Sequence, residues 1–265
     1  MIYKEIKLGV GKAELHVYKP ETANKNEAML VIPGGGYGCV CTNREGEPIA
    51  LGYLAKGFTV FVLHYSVGKD APVNCPLAEA SAAIAYIRRN ADEYGVDVNK
   101  VYAVGFSAGG HLCGSLGTLW HREEIAEKAG ITSGENKPNG VVLCYPVITG
   151  GERAHKGSFY NLIGTTTPTD EQIDYYSLEK HVDERSVPAF IIHTAEDELV
   201  PVHNSLMMAT AYANAKVPFE LHVYPHGPHG MALGNAITAN GRQSYIDSRY
   251  ERWIDDSISF FRSIG

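Results

Sequence analysis

An α/β fold with a mostly parallel, eight-stranded sheet, helices on both faces and one small insertion is predicted by three observations. Short, continuously apolar runs at 28–32, 58–65, 100–106, 141–145 and 188–195 suit strands covered on both faces. Segments between them carry apolar residues at three-to-four spacing, clearest at Leu77, Ala80, Ile84 and Ile87, as a helix packed on a sheet requires. Strand and helix alternate, which implies right-handed crossovers and a parallel sheet. The 265 residues, 45% hydrophobic and 20% charged, fit one domain spanning 1–265.

Taken in order, 2–8 and 13–18 alternate apolar and polar residues around Gly9 and Gly11, predicting an antiparallel hairpin at one sheet edge. A polar connection, 20–27, leads to the strand 28–32. A helix is predicted over 43–56, broken by Pro48 near its start, then the strand 58–65 and a helix over 76–94 with Pro76 in its first turn. The central strand 100–106 precedes a helix from Ser107 to about Trp120. After the strand 141–145 the pattern dissolves. Residues 147–187, rich in Gly, Thr, Ser, Tyr and charges, are too long for a simple connection and are read as a lid with short helices. Tyr160, Tyr175 and Tyr176 there either line a substrate pocket or seal the insertion onto the core. The strand 188–195, a helix over 202–215, the alternating strand 219–224 and a C-terminal helix over 244–264 complete the chain. In that last helix Tyr245, Trp253, Ile254, Ile258 and Phe261 form the inward stripe.

Net charge is −7, from 23 basic and 30 acidic residues, with no block of lysine or arginine. Nucleic acid and anionic membranes are therefore not expected partners, and a small-molecule or oligosaccharide ester is. Self-association into a homo-oligomer is left open. Met1-Ile2-Tyr3-Lys4-Glu5 carries charge where a signal peptide needs an apolar run, so a soluble, cytoplasmic protein is expected. Five cysteines, Cys39, Cys41, Cys75, Cys113 and Cys144, lack metal-type spacing and read as free thiols. His222, His226 and His229 invite a metal reading, but no carboxylate pair completes a cage, and no metal or other cofactor is expected.

The chemistry centres on Gly105-Phe106-Ser107-Ala108-Gly109, where an apolar strand ends abruptly and a small-residue helix begins. A serine on such a sharp turn brings the flanking backbone close, which asks for glycine on either side, and lifts its hydroxyl clear of the sheet. Ser107 is the predicted nucleophile. Pro33-Gly34-Gly35-Gly36-Tyr37 follows a buried strand and exposes N–H groups with no side chain in the way, so Gly35 and Gly36 are the predicted oxyanion donors, with Ala108 on the new helix. A serine hydroxyl needs a histidine base, and that base needs a carboxylate. Asp197 is proposed, with Glu196 and Glu198 as competitors in the same turn. His229, in the Gly/Pro-rich loop after the last strand, is the candidate base, with His226 as the fallback. Tyr37, His111, Tyr145 and Met231 are assigned to the substrate pocket, although a packed, hydrogen-bonded structural role is the other reading of His111.

The order Ser107, Asp197, His229 matches that of α/β-hydrolases. Over nearly its whole length the chain resembles the acetyl-esterase and feruloyl-esterase-like branch of that superfamily. The resemblance rests on Pro33-Gly34-Gly35-Gly36-Tyr37, Tyr65-Ser66, Gly105 to Leu112, Asp197-Glu198-Leu199-Val200-Pro201 and Gly227-Pro228-His229-Gly230. Its Asp-x-x-Val-Pro and Gly-x-His-Gly patterns select Asp197 and His229. It implies an α/β-hydrolase fold and a serine carboxylic-ester hydrolase acting on short acyl (acetyl) groups carried by carbohydrate such as xylo-oligosaccharide. Pro33 departs from the histidine of hormone-sensitive-lipase-type esterases, and His64 stands where arginine is expected before Tyr65-Ser66. Two rival functions are a serine exopeptidase of the prolyl-peptidase type and a non-catalytic binding protein on the same scaffold.

Overall fold

The computed structural model describes residues 1–22, 24 and 26–264; Ala23 and Lys25, in the polar connection 20–27, and Gly265 lie outside the described residues. Eight strands, β1 (Ile2–Lys7), β2 (Glu14–Lys19), β3 (Asn26–Ile32), β4 (Thr59–His64), β5 (Val96–Phe106), β6 (Val141–Cys144), β7 (Ala189–Thr194) and β8 (Phe219–Tyr224), form one sheet in the order β1-β2-β4-β3-β5-β6-β7-β8. β1 pairs antiparallel with β2, and β2 with β4; every other neighbouring pair is parallel. This is the α/β-hydrolase fold, with β5, which leads into Ser107, inside the sheet between β3 and β6.

Period-two alternation divides the parallel strands between two cores. In β3, Leu30 and Ile32 face one layer with Ile84, Leu112 and Met208, while Met29 and Val31 face the other with Tyr53, Trp253 and Phe261. The helices include α1 (Thr42–Glu45), α2 (Glu47–Leu54), α3 (Pro76–Arg89), α4 (Ala108–Leu119), α5 (Lys156–Ile163), α6 (Asp170–Tyr176), α7 (His203–Ala215) and α8 (Trp253–Ile264), of which α2, α3, α4, α7 and α8 pack on the strands. Each fully buried large apolar side chain contributes about 1.5–3 kcal/mol, so both layers are needed to hold so wide a sheet.

The expected helix over 43–56 is two helices divided at Gly46, with Pro48 tolerated in the first turn of α2. The expected C-terminal helix over 244–264 is confined to α8. Asp247 Oδ1 accepts the N–H groups of Arg249 (2.8 Å) and Tyr250 (3.1 Å), and the chain before α8 forms short 3-10 turns instead. Residues 147–187 carry α5, α6 and a 3-10 turn at Leu178–Lys180. Buried Asn204 fastens the start of this insertion to α7: its Oδ1 accepts the N–H groups of Ile148 (2.9 Å) and Thr149 (3.1 Å), and its Nδ2 donates to Arg153 O (3.0 Å). No helix among the described residues is long and apolar enough to cross a membrane.

Candidate active site

β5 ends in a turn that leaves Ser107 at φ 54°, ψ −119°, a conformation costly for a residue with a Cβ. The turn is over-determined by its surroundings. Ser107 N–H donates to Cys144 O (3.0 Å) and its own carbonyl accepts from Val147 (3.1 Å). A Cβ at Gly109 would lie 2.2 Å from Ile32 O, and one at Gly105 would lie 2.1 Å from Gly109 O. Only glycine at both places lets α4 start this close to the sheet.

Ser107 Oγ lies 2.8 Å from His229 Nε2, and His229 Nδ1 lies 2.6 Å from Asp197 Oδ2. The Asp197 side chain is fully buried; Oδ1 accepts the N–H groups of Leu199 (3.0 Å) and Val200 (2.9 Å). Burial alone would raise its pKa, but hydrogen bonds from His193 and His229, the His229 charge and the Val200 N–H hold it well below the usual carboxylate range. The competitors point elsewhere. Glu196 binds His226 Nδ1 at 2.8 Å in a solvent-exposed pair, and Glu198 is exposed. His193 was not anticipated: its Nε2 lies 3.2 Å from Asp197 Oδ2 and 2.9 Å from Val200 O, both acceptors, so this nitrogen carries the proton and donates.

The glycine loop is locked through its carbonyls. Gly34 O accepts from Cys41 (2.9 Å), Gly35 O from Gly38 (3.0 Å) and Cys39 (3.1 Å), and Gly36 O from Asn161 Nδ2 (2.9 Å). None of these bonds uses the N–H of Gly35 or Gly36, and both residues line the cleft that holds Ser107 and His229. Ala108, the first residue of α4, follows Ser107 directly. Pro33, the departure noted above, accepts the Tyr65 hydroxyl at 2.7 Å. His64, the other departure, stacks on His16 with ring centroids 4.0 Å apart.

The cleft is open, with a volume of about 1120 Å³. Of the four residues assigned to it from the sequence, Met231 lines it and three do not. Tyr37 and His111 are buried and bonded to each other (2.9 Å), and His111 Nε2 lies 2.8 Å from Tyr176 O, so this pair seals the insertion onto α4. Tyr175 and Tyr176 enclose a separate small cavity with the same pair. Tyr145 packs edge-on to the His229 ring at 5.0 Å. Residues that sequence reasoning missed include Arg44, Glu45 and His155, all of which line the cleft. No periodicity marks them, because their partners are distant in sequence. Cys41 also lines it, and burial, the Glu45 carboxylate and Cys39 push its thiol up to about 12, which favours the protonated thiol. Among the described residues, the three histidines of the metal reading do not gather: His222 pairs with Glu220 (2.6 Å), His226 with Glu196 and His229 with Asp197.

Burial pushes the His111 imidazole down to about 4, against the smaller opposing effect of its bond to Tyr176. The unfolded chain therefore takes up this proton first as pH falls. The contribution of neutral His111 to stability is complete above about 6.5 and is lost as pH drops toward about 4. Thermal unfolding of the wild type should weaken more between pH 8 and pH 5 than that of His111→Gln, whose side chain does not titrate.

The BD-FAE family model matches residues 15–212. The chain belongs to the BD-FAE family. This BD-FAE chain is 43% identical over 216 residues to Endo-1,4-beta-xylanase B of Butyrivibrio fibrisolvens, covering 80% of itself and 33% of that protein. It is 31% identical over 228 residues to the acetylxylan esterase of Xylanibacter ruminicola, covering 84% of itself and 45% of that protein. It thus spans less than half the length of either relative. Among solved structures, the acetyl ester-xyloside bifunctional hydrolase of Caldicellulosiruptor lactoaceticus is similar at 33% identity and a TM-score of 0.82, over 96% of this chain and 89% of that one. The carboxylesterase Cest-2923 of Lactobacillus plantarum is similar at 27% identity and a TM-score of 0.86, over 100% and 98%.

Proposed function

We propose that this chain hydrolyses carboxylic esters through an acyl-enzyme on Ser107, and that its substrates are acetyl groups on neutral carbohydrate such as xylo-oligosaccharide. The observation that carries this reading is the continuous hydrogen-bonded chain Ser107–His229–Asp197 beside a locked glycine loop in an open cleft. His229 Nε2 takes the hydroxyl proton as Ser107 Oγ attacks the ester carbonyl carbon. The oxyanion is received by the N–H groups of Gly35, Gly36 and Ala108, donors set in place before the charge forms. As the tetrahedral intermediate collapses, the C–O bond to the alcohol breaks and His229 returns its proton to the departing oxygen. Water, deprotonated by the same imidazole, then attacks the acyl carbon; the bond to Ser107 Oγ breaks as His229 returns its proton to that oxygen, releasing acetate and restoring the Ser107 hydroxyl.

The acetyl-on-sugar part rests on the names of the acetylxylan esterase and the acetyl ester-xyloside hydrolase, and on the shape and charge of the cleft. An open cleft admits an oligosaccharide. Its lining carries four acids, Glu45, Glu196, Glu198 and Asp247, against one arginine, Arg44, and the chain carries a net charge of −7, which disfavours an anionic sugar. Acetyl esters on neutral xylo-oligosaccharides are therefore expected to be turned over faster than those on uronic-acid oligomers, by a ratio that narrows as salt screens the rim. Acetate release from both substrates, by wild type and by Ser107→Ala, tests the function. Serine-dependent release supports it, whereas turnover confined to aminoacyl-anilides would move the chain to the exopeptidases.

A further inference from the structure

Glu45 is a carboxylate that the acyl-transfer steps do not use, yet supporting bonds of the site converge on it. It is only 6% exposed. Oε2 accepts the N–H of Gly34 at 2.9 Å, and Oε1 accepts the hydroxyl of Tyr145 at 2.8 Å. That hydroxyl oxygen in turn accepts the N–H of Ala232 at 3.0 Å, while the Tyr145 ring meets the His229 imidazole edge-on, at 72°. The neighbouring Arg44 donates to Gly230 O, one residue past His229, and to Thr238 O at 3.2 Å. Three segments thus meet around the Arg44–Glu45 pair: the glycine loop after β3 and the exit of β6 bind Glu45 directly, and the loop carrying His229 joins them through Arg44 and the Tyr145 hydroxyl.

Two physical points make this more than packing. A carboxylate taken out of water is costly unless its partners are good, and here Glu45 is hydrogen-bonded by two uncharged donors. An apolar side chain would avoid that cost but leave the Gly34 N–H and the Tyr145 hydroxyl without this acceptor. In addition, Tyr145 sits at φ 37°, a conformation unfavourable for an aromatic residue, and its hydroxyl nevertheless reaches Glu45. Burial, and next the Glu45 charge, push the Tyr145 hydroxyl pKa far up, so it remains a donor throughout the working range.

We propose that Glu45 is a positioning residue for ester hydrolysis, orienting the oxyanion loop through Gly34 and the His229 imidazole through Tyr145. Gly34 is held on both sides, by Glu45 at its N–H and by Cys41 at its carbonyl, and the peptide between them and Gly36 carries the oxyanion donors. The proposal rests on the acyl-enzyme reading above. A glutamine at position 45 keeps the shape but has a single acceptor oxygen for two donors.

The test is turnover per active site for Glu45→Gln and Tyr145→Phe, with sites counted by stoichiometric labelling with a fluorophosphonate. Wild type must first be labelled at Ser107; an unlabelled wild type overturns the acyl-enzyme reading and this proposal together. With that established, Glu45→Gln is expected to lower kcat per labelled site by between about 10-fold and the roughly 10²- to 10³-fold of losing an oxyanion donor, with KM nearly unchanged. Affinity for an alkyl boronic acid, which forms a tetrahedral adduct with the serine, should fall by the same factor as kcat/KM. Tyr145→Phe keeps the ring and the Glu45 charge, and should lose about 10-fold in kcat through the histidine arm alone, an order-of-magnitude expectation for one hydrogen bond. A purely structural role would reduce the number of labelled sites and leave kcat per site at the wild-type value, which overturns the proposal. If Glu45→Gln does not fold, Tyr145→Phe decides, and wild-type kcat per site in that variant overturns it.

Discussion

Ser107→Ala is expected to lower turnover of an acetyl ester by roughly 10⁶-fold, the scale on which a serine hydrolase loses its nucleophile. The fold should survive the change. Ser107 keeps its turn through backbone bonds, its N–H to Cys144 O and its carbonyl to Val147 N–H, and alanine retains both. Its hydroxyl meets His229 Nε2, so removing it loses one hydrogen bond, worth about 1 kcal/mol. The expected signature is therefore a variant with near-native thermal unfolding and KM-like substrate binding but no acetate release. Residual activity of a few per cent would place the nucleophile elsewhere.

Asp197→Asn should follow, with a loss of about 10⁴-fold in kcat, as expected when the base is held in the wrong tautomer. The surroundings of Asp197 dictate how the amide must sit. Oδ1 receives two backbone N–H groups, from Leu199 and Val200, so the asparagine oxygen is held there. Its NH₂ then faces His229 Nδ1, which must become the acceptor, and the ring proton moves to Nε2. A protonated Nε2 cannot take the serine proton. The same NH₂ also confronts the Nε2–H of His193, so this variant should lose stability as well as rate. Because the folded-state pKa of Asp197 is depressed, its contribution to wild-type stability is present above the unfolded value of about 3.9 and is lost as pH falls through the folded value. Thermal unfolding of both proteins across pH 7 to pH 3 would show the wild-type advantage shrinking toward acid.

The parts of the molecule that were legible in the sequence are those governed by local rules. Gly105 and Gly109 declare the sharp turn at Ser107 because any Cβ there would collide with backbone. The apolar runs declare their strands because both faces of β3 to β7 are covered. Asp197 was harder. Three consecutive acids are equivalent by type, and what separates them is that two N–H groups of the following turn reach only Asp197, while Glu196 turns outward to His226. Tyr37 and His111 flank the glycine loop and the serine in sequence, which suggested substrate contact, but both point away from the cleft toward Tyr176. Glu45 left no signal at all. It is a charged residue in a short helix, and its partner Tyr145 lies 100 residues further on. The C-terminal helix was overextended because Tyr245 falls in register with the stripe of α8, whereas it actually lies over the Arg44 guanidinium at 4.8 Å.

The central claim is that one serine carries the acyl group. The most direct measurement is titration of the wild type with a fluorophosphonate, mapping the label by peptide mass spectrometry while following acetate release from an acetylated xylo-oligosaccharide. The account predicts one label per chain, on Ser107, with acetate release falling in proportion to the fraction labelled. Full acetate release from a fully labelled protein, or a label on another residue with Ser107 unmodified, would contradict it.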